Sequence, residues 1–188
     1  MNLIPKKDAS PWSAITTPNP GELWVLVSPF RILEMERVVI PVLALHGPVH
    51  IIVGGQTFDV DGIMRSLRKL TSDVAVARQR VRQRRAPTAF QMRALLKKTP
   101  ATRDPLIVLN FLVHYFDEDE QFWKSRYLLE DSLAELRRLS RMGPVVVTVR
   151  SPRTTEQRYL GVLDRLREVT DRLVEFVPMP APQQMSMF

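Results

Sequence analysis

The chain contains no cysteine. Disulfides and thiolate-held metals are therefore excluded, and the composition suits a reducing compartment. Histidine is scarce, with three residues in 188. His46 and His50 are four positions apart, but Gly47-Pro48 between them denies them a shared helix face, so no zinc site is expected. No Ser/His/Asp or Cys/His set suited to nucleophilic catalysis can be assembled. Long hydrophobic runs are also missing. The apolar stretches fall far short of the roughly 20 residues a membrane helix needs, and Met1 to Ser10 has lysines but no apolar core of a secretory signal. The expectation is a cytoplasmic protein without a membrane partner, with nucleoid association left open. Carboxylates are outnumbered, 20 against 27 lysines and arginines, for a net charge of +7 and a pI near 10.2. Such a surface attracts polyanions, nucleic acid and anionic lipid among them.

What is present suffices for one domain of ordinary size. Hydrophobic residues make up 45% and charged residues 25%, which supports a real core and argues against global disorder. Residues 1–20 are polar, hold four prolines and are expected to form a loose arm. Short apolar runs at 23–27, 49–53, 106–112, 145–149 and 173–177 have the length and content of buried strands. Between them lie helical patterns over 32–45, interrupted at Pro41, and from Asp59 to about Lys69. Others run from Ser72 to about Arg80, from a Thr88 cap to Lys98, from the acidic run Asp117–Glu120 to near Met142, and over 156–169. The acidic run is read as favouring a helix N-terminus rather than as a metal site. Continuous apolar strands alternating with helices predict an α/β fold with a mostly parallel sheet covered on both faces, a three-layer α/β/α arrangement over 21–177. The proline-bearing tail, 178–188, is expected to be extended.

Within that frame, Arg84-Arg85-Ala86-Pro87-Thr88-Ala89-Phe90-Gln91 resembles a segment of the RecA-like recombinases at the end of their third core strand. Pro105 to Asn110, the long helix carrying Leu136-Arg137-Arg138-Leu139, and Val145 to Val149 resemble that family's Walker B strand, following helix and next strand. Gln56-Thr57-Phe58 is similar to the Gly-Thr-Phe after its second strand. The resemblance implies a RecA-like domain and, in that family, an ATP site. The positions that would carry the chemistry depart from it. A phosphate loop needs glycines to aim backbone N–H groups at the anion, plus a lysine. Here Ser28 leads into Pro29-Phe30-Arg31-Ile32-Leu33-Glu34-Met35, with no glycine and no lysine. Aligned without gaps, Glu34 replaces the lysine and Met35 the magnesium-binding hydroxyl. A carboxylate there would repel phosphate, by about 4 kcal/mol per pair of unit charges at 4 Å and an effective dielectric near 20. Asn110 stands for the Walker B aspartate, Gly55 for the catalytic glutamate, and Arg150-Ser151 for the polar sensor pair. Loop, metal ligand, base and sensor are lost together, so the resemblance implies a scaffold without phosphoryl-transfer chemistry and without a bound cofactor or metal.

Two further features suggest partners. Gln184-Met185-Ser186-Met187-Phe188 resembles the bacterial sliding-clamp-binding motif Gln-Leu-(Ser or Asp)-Leu-Phe, with methionine in place of both leucines. Arg78, Arg80, Arg82, Arg84 and Arg85 form a dense basic run. It is either a phosphate-contacting patch or a solvated edge kept positive against aggregation. No aromatic residue interleaves with it, so base stacking finds no support within the run itself. The function expected from these features is a RecA-like accessory or adaptor protein in DNA repair, recombination or translesion synthesis, similar in role to mutasome accessory proteins of the ImuA type. Its partners would be the DNA sliding clamp and a repair polymerase or recombinase. The alternatives are a DNA-binding regulator acting through the arginine run and a divergent ATP-binding recombinase-like protein.

Overall fold

The computed structural model describes residues 18–28, 33, 35–55, 57–115, 122–150 and 157–175, without the side chains of 122–125 and 157–160. Six strands form one sheet: β1 (Leu23–Ser28), β2 (Val49–Gly54), β3 (Val81–Ala86), β4 (Leu106–Leu109), β5 (Val145–Arg150) and β6 (Arg172–Glu175). Their order is β3-β2-β4-β5-β1-β6, and every pairing is parallel. The chain therefore steps from β1 out to β3 at one edge, then returns through β4 and β5 to β6 at the other.

The helices divide accordingly. On one face a π-helical segment (Met35–Val39), α1 (Ile40–His46), α2 (Val60–Leu70) and α3 (Val74–Arg80) pack around Leu26, Ile51, Val53, Ile107 and Val146. On the other, α4 (Ala89–Lys98), α5 (Phe122–Ser140) and α6 (Gln157–Val169) pack around Val25, Ile52, Val108, Val145 and Val147. The period-2 alternation of strand side chains sends neighbours to opposite cores. That is why β1, β4 and most of β5 read as unbroken apolar runs. No helix among the described residues is long and apolar enough to cross a membrane.

Local signals place most boundaries. Asp59 caps α2 by accepting from the Gly62 N–H at 2.9 Å, and Thr88 caps α4 by accepting from the Gln91 N–H at 3.2 Å. Pro41 lies at the expected break: the stretch before it is π-helical over 35–39, and α1 starts at Ile40 with Pro41 in its first turn. The fourth strand is shorter than its apolar run. β4 stops at Leu109 because Asn110 turns left-handed (φ 53°, ψ 45°) and Phe111–His114 coils into a 3-10 turn. Phe111 and Leu112 are apolar because that turn is buried, not because it is strand. Residues 1–17 of the expected arm and all of 178–188 lie outside the described residues.

At the amino-terminal edge of the sheet, Asp171 ties three elements together. Its carboxylate accepts from the Leu23 N–H at 2.7 Å and from both Arg137 terminal nitrogens at 2.5 and 3.0 Å. The Arg137 guanidinium, and then the Leu23 amide, hold this carboxyl below the usual carboxylate range. A carboxyl with a lowered folded-state pKa stabilises above its unfolded value, and that contribution fades as pH falls. Asp171→Asn is therefore expected to unfold at lower urea than the parent at pH 7, by about 1 kcal/mol for this half-exposed pair. The two urea curves should converge as pH falls below about 4.

Candidate functional site

In an open parallel sheet, ligand crevices form at the carboxyl ends of adjacent strands whose connections leave toward opposite faces. Such points lie between β1 and β5 and between β2 and β4, as well as at the β2–β3 edge pair. The fold thus gathers Ser28, Arg150, Asn110 and Gly54-Gly55 along one edge, from four neighbouring strands. Of the positions read as a degenerate nucleotide site, Ser28, Gly55, Asn110 and Arg150 lie along this edge, while Glu34, with 29–32, and Ser151 lie outside the described residues.

The edge is occupied by the protein's own contacts. Met35 is fully buried in the core with Leu26, Ile40 and Val53, so the position aligned with a metal-binding hydroxyl is an apolar anchor. Gly55 adopts φ +84°, and its N–H donates to His114 Nε2 at 3.0 Å. Asn110 donates its backbone N–H to Thr148 Oγ1 at 2.9 Å, and its carbonyl accepts from the Val113 N–H. Gly54 abuts it so closely that a Cβ there would stand 2.4 Å from the Asn110 oxygen. Beside the β2–α2 loop, buried Glu36 accepts from the Asp59 N–H at 2.6 Å, and Arg37 pairs with the Asp59 side chain at 2.5 Å. The Arg37 contact, then the Gly62 amide, hold the Asp59 carboxyl below its ordinary value.

Among the described residues of this edge, the Gly55 and Asn110 amides are thus already bonded, and a carboxylate, Glu36, stands beside the β2–α2 loop. Sequence reasoning places His114 near a strand end as a packed or surface histidine but not its bond to Gly55, which spans 59 positions, and it missed Glu36, whose partner Asp59 lies 23 positions away. Among the described residues no three His, Asp or Glu side chains converge as a metal site. His46 ends α1, while His50 sits in β2 with its ring 3.5 Å from Asp104.

The second candidate is the β3 edge. Of the chain's 27 lysines and arginines, twelve fall within 62–103, against a single carboxylate, Asp73. That segment carries +11 in a chain of +7, so the remainder is net acidic. It folds into α2, α3, β3 and α4, which surround one lateral edge of the sheet. The five arginines of the run do not act alike. Arg80 donates to the Ala44 and Leu45 carbonyls at the end of α1, a structural role. Arg78, Arg82, Arg84 and Arg85 are exposed and form no ion pair among the described residues. Arg82 and Arg84 pair in register with His50 and Ile52, placing them on the α4 face, while Arg85 takes the other. The motif Gln184–Phe188 and the acidic run Asp117–Glu120 lie outside the described residues.

No protein-family model matches the chain, and a comparison with curated protein sequences finds no similar one.

Gly54→Ala is expected to destabilise the protein by about 1–3 kcal/mol, because its Cβ would meet backbone oxygens that cannot rotate away. Gly47→Ala, with nothing within 4 Å of its Cβ, is the control and should leave the urea midpoint nearly unchanged.

Proposed function

We propose that this chain is a non-catalytic, RecA-like accessory protein acting in DNA repair, recombination or translesion synthesis. In this reading its C-terminal peptide, Gln184–Phe188, tethers it to the bacterial DNA sliding clamp, and its domain engages a repair polymerase or recombinase. The observation that carries the reading is the carboxyl edge of the sheet. Met35 is buried, Gly55 spends its N–H on His114, and Asn110 stands where a metal-binding carboxylate belongs. An edge so committed suits a scaffold kept for its shape. A short peptide with Phe188 and Met187 as apolar anchors and Gln184 at a pocket rim binds with about micromolar affinity, and tethering then raises the local concentration of whatever the domain binds. Retention on purified clamp should be lost when residues 184–188 are removed, and titration with ATP and magnesium should give no saturable heat. Equal retention of both chains would sink the tether, and clear nucleotide saturation would sink the non-catalytic assignment.

A second reading, DNA contact through the arginine run, is favoured by the charge division. Within 62–103 twelve cations stand against one carboxylate, Asp73, although Arg93 pairs with Asp131 of α5, and the strand they flank is an edge of the sheet. Counterion release from phosphates would drive association. Arg82→Ala with Arg84→Ala should lower the slope of log affinity against log salt by about 2, whereas Arg80→Ala should lower stability instead.

A further inference from the structure

The lateral edge that carries the arginine run also carries a hollow. It lies on the α4 face of the sheet, toward the amino ends of β2 and β3, and holds about 250 Å³ with its mouth in solvent. His50, Arg82, Arg84, Thr99, Pro100 and Leu106 line it. The register explains the gathering. Arg82 stands opposite His50 and Arg84 opposite Ile52, and Ile52 belongs to the core beneath α4, so all four share one face. Helix α4 leaves the carboxyl end of β3 and returns toward the amino end, which brings Thr99 and Pro100 over that face.

The polar groups of the hollow are unequally committed. The Thr99 hydroxyl donates to the Leu95 carbonyl at 2.7 Å. The His50 ring stands 3.5 Å from Asp104. His50 lines this hollow and its neighbour, whereas Asp104 lines only the neighbour, so among the described residues no carboxylate lines this one. Arg82 and Arg84 make no side-chain hydrogen bond or ion pair among the described residues. Two positions apart on one strand, their Cα atoms are about 6.6 Å from each other. Like charges held so close repel, and an anion seated between them turns that repulsion into charge-assisted hydrogen bonds.

We propose that this hollow seats a backbone phosphate of a nucleic acid, with Arg82 and Arg84 as its guanidinium ligands and His50 as a third donor. The proposal rests on the DNA-contact reading above and adds to it the place of one phosphate and a ligand from outside the arginine run. Guanidinium forks match phosphate oxygens, and an imidazole keeps at least one N–H donor in either protonation state. Lys97, Lys98 and Arg103 are exposed on the chain either side of Thr99 and Pro100, so a polyanion leaving the hollow meets further positive charge. An acidic peptide brings the same sign of charge, but on flexible side chains. A nucleic acid carries its charges at a fixed repeat on its backbone, which suits two arginines fixed at i and i+2 of a strand.

The test follows the histidine ring resonances of the full chain by NMR during titration with a duplex of about fifteen base pairs. The chain has three histidines, and the signal lost in His50→Ala is that of His50. It should shift, while that of His114, bonded to Gly55 beyond the other end of β2, should stay. By fluorescence anisotropy His50→Ala should weaken duplex binding about fivefold, and Arg84→Ala should both weaken it and diminish the His50 shift. Should His50→Ala fail to fold, His50→Gln assigns the signal and the shift on the unaltered chain decides. Duplex binding that depends on Arg82 and Arg84, yet neither moves the His50 signal nor weakens in His50→Ala, overturns the seat and leaves the basic-edge reading standing. Polyglutamate of equal charge that binds as tightly and shifts the same signal overturns the nucleic-acid assignment. Absence of duplex binding overturns both readings.

Discussion

A parallel strand buried on both faces can satisfy its backbone only sideways, and this constraint organises the whole molecule. Each connection must return the chain to the same end of the sheet, so each carries a helix, and those helices must cover two apolar faces. The path from β1 outward to β3 loads one face with α1, α2 and α3. The return through β4, β5 and β6 loads the other with α4, α5 and α6. β3 is the turning point of that path and so becomes an edge. It is the least apolar of the six strands, with arginines at three of its six positions. An edge strand has no second neighbour to bury its side chains, and charge there also discourages pairing with another chain.

The same topology gathers the carboxyl ends of β1, β5, β4 and β2, the place where α/β sheets usually hold ligands. Among the described residues, the β2 and β4 ends of that edge are joined by short polar contacts. The left-handed turn at Asn110 brings its carbonyl against Gly54, Thr148 caps the Asn110 amide, and His114 reaches back to Gly55. Glu36, Arg37 and Asp59 join the π-helical segment to the start of α2 in a similar way. These bonds satisfy backbone groups that an anion would otherwise recruit. They stabilise the fold at the end of the sheet where ligand-binding α/β proteins leave donors free.

Charge is divided as sharply as topology. On the α5–α6 side arginines meet carboxylates: Arg165 pairs with Glu130 and Glu168, Arg167 with Asp164 and Glu175, and Arg137 with Asp171. Hydrogen bonds from Arg165 hold the Glu130 carboxyl below its usual value. Around β3 almost no carboxylate is present to do the same. Exposed ion pairs add little stability, so this division matters more for the field the protein presents than for how firmly it folds.

Much of the fold was legible in the residues alone. Unbroken apolar runs such as Val145–Val149 mark strands buried on both sides, and Asp59 and Thr88 mark helix starts because capping is a bond over three residues. The basic run was legible too, being contiguous. Where local patterns misled, the cause was that burial does not name a conformation: Phe111 and Leu112 extend an apolar run whose strand has already ended. Tertiary structure alone decided which arginine is structural, since Arg80 finds its carbonyls some 35 positions away. It alone set His50 beside Arg82 and His114 beside Gly55. Periodicity and capping are written in nearest neighbours along the chain, whereas a site is written in distances between elements, and those exist only once the sheet has chosen its order.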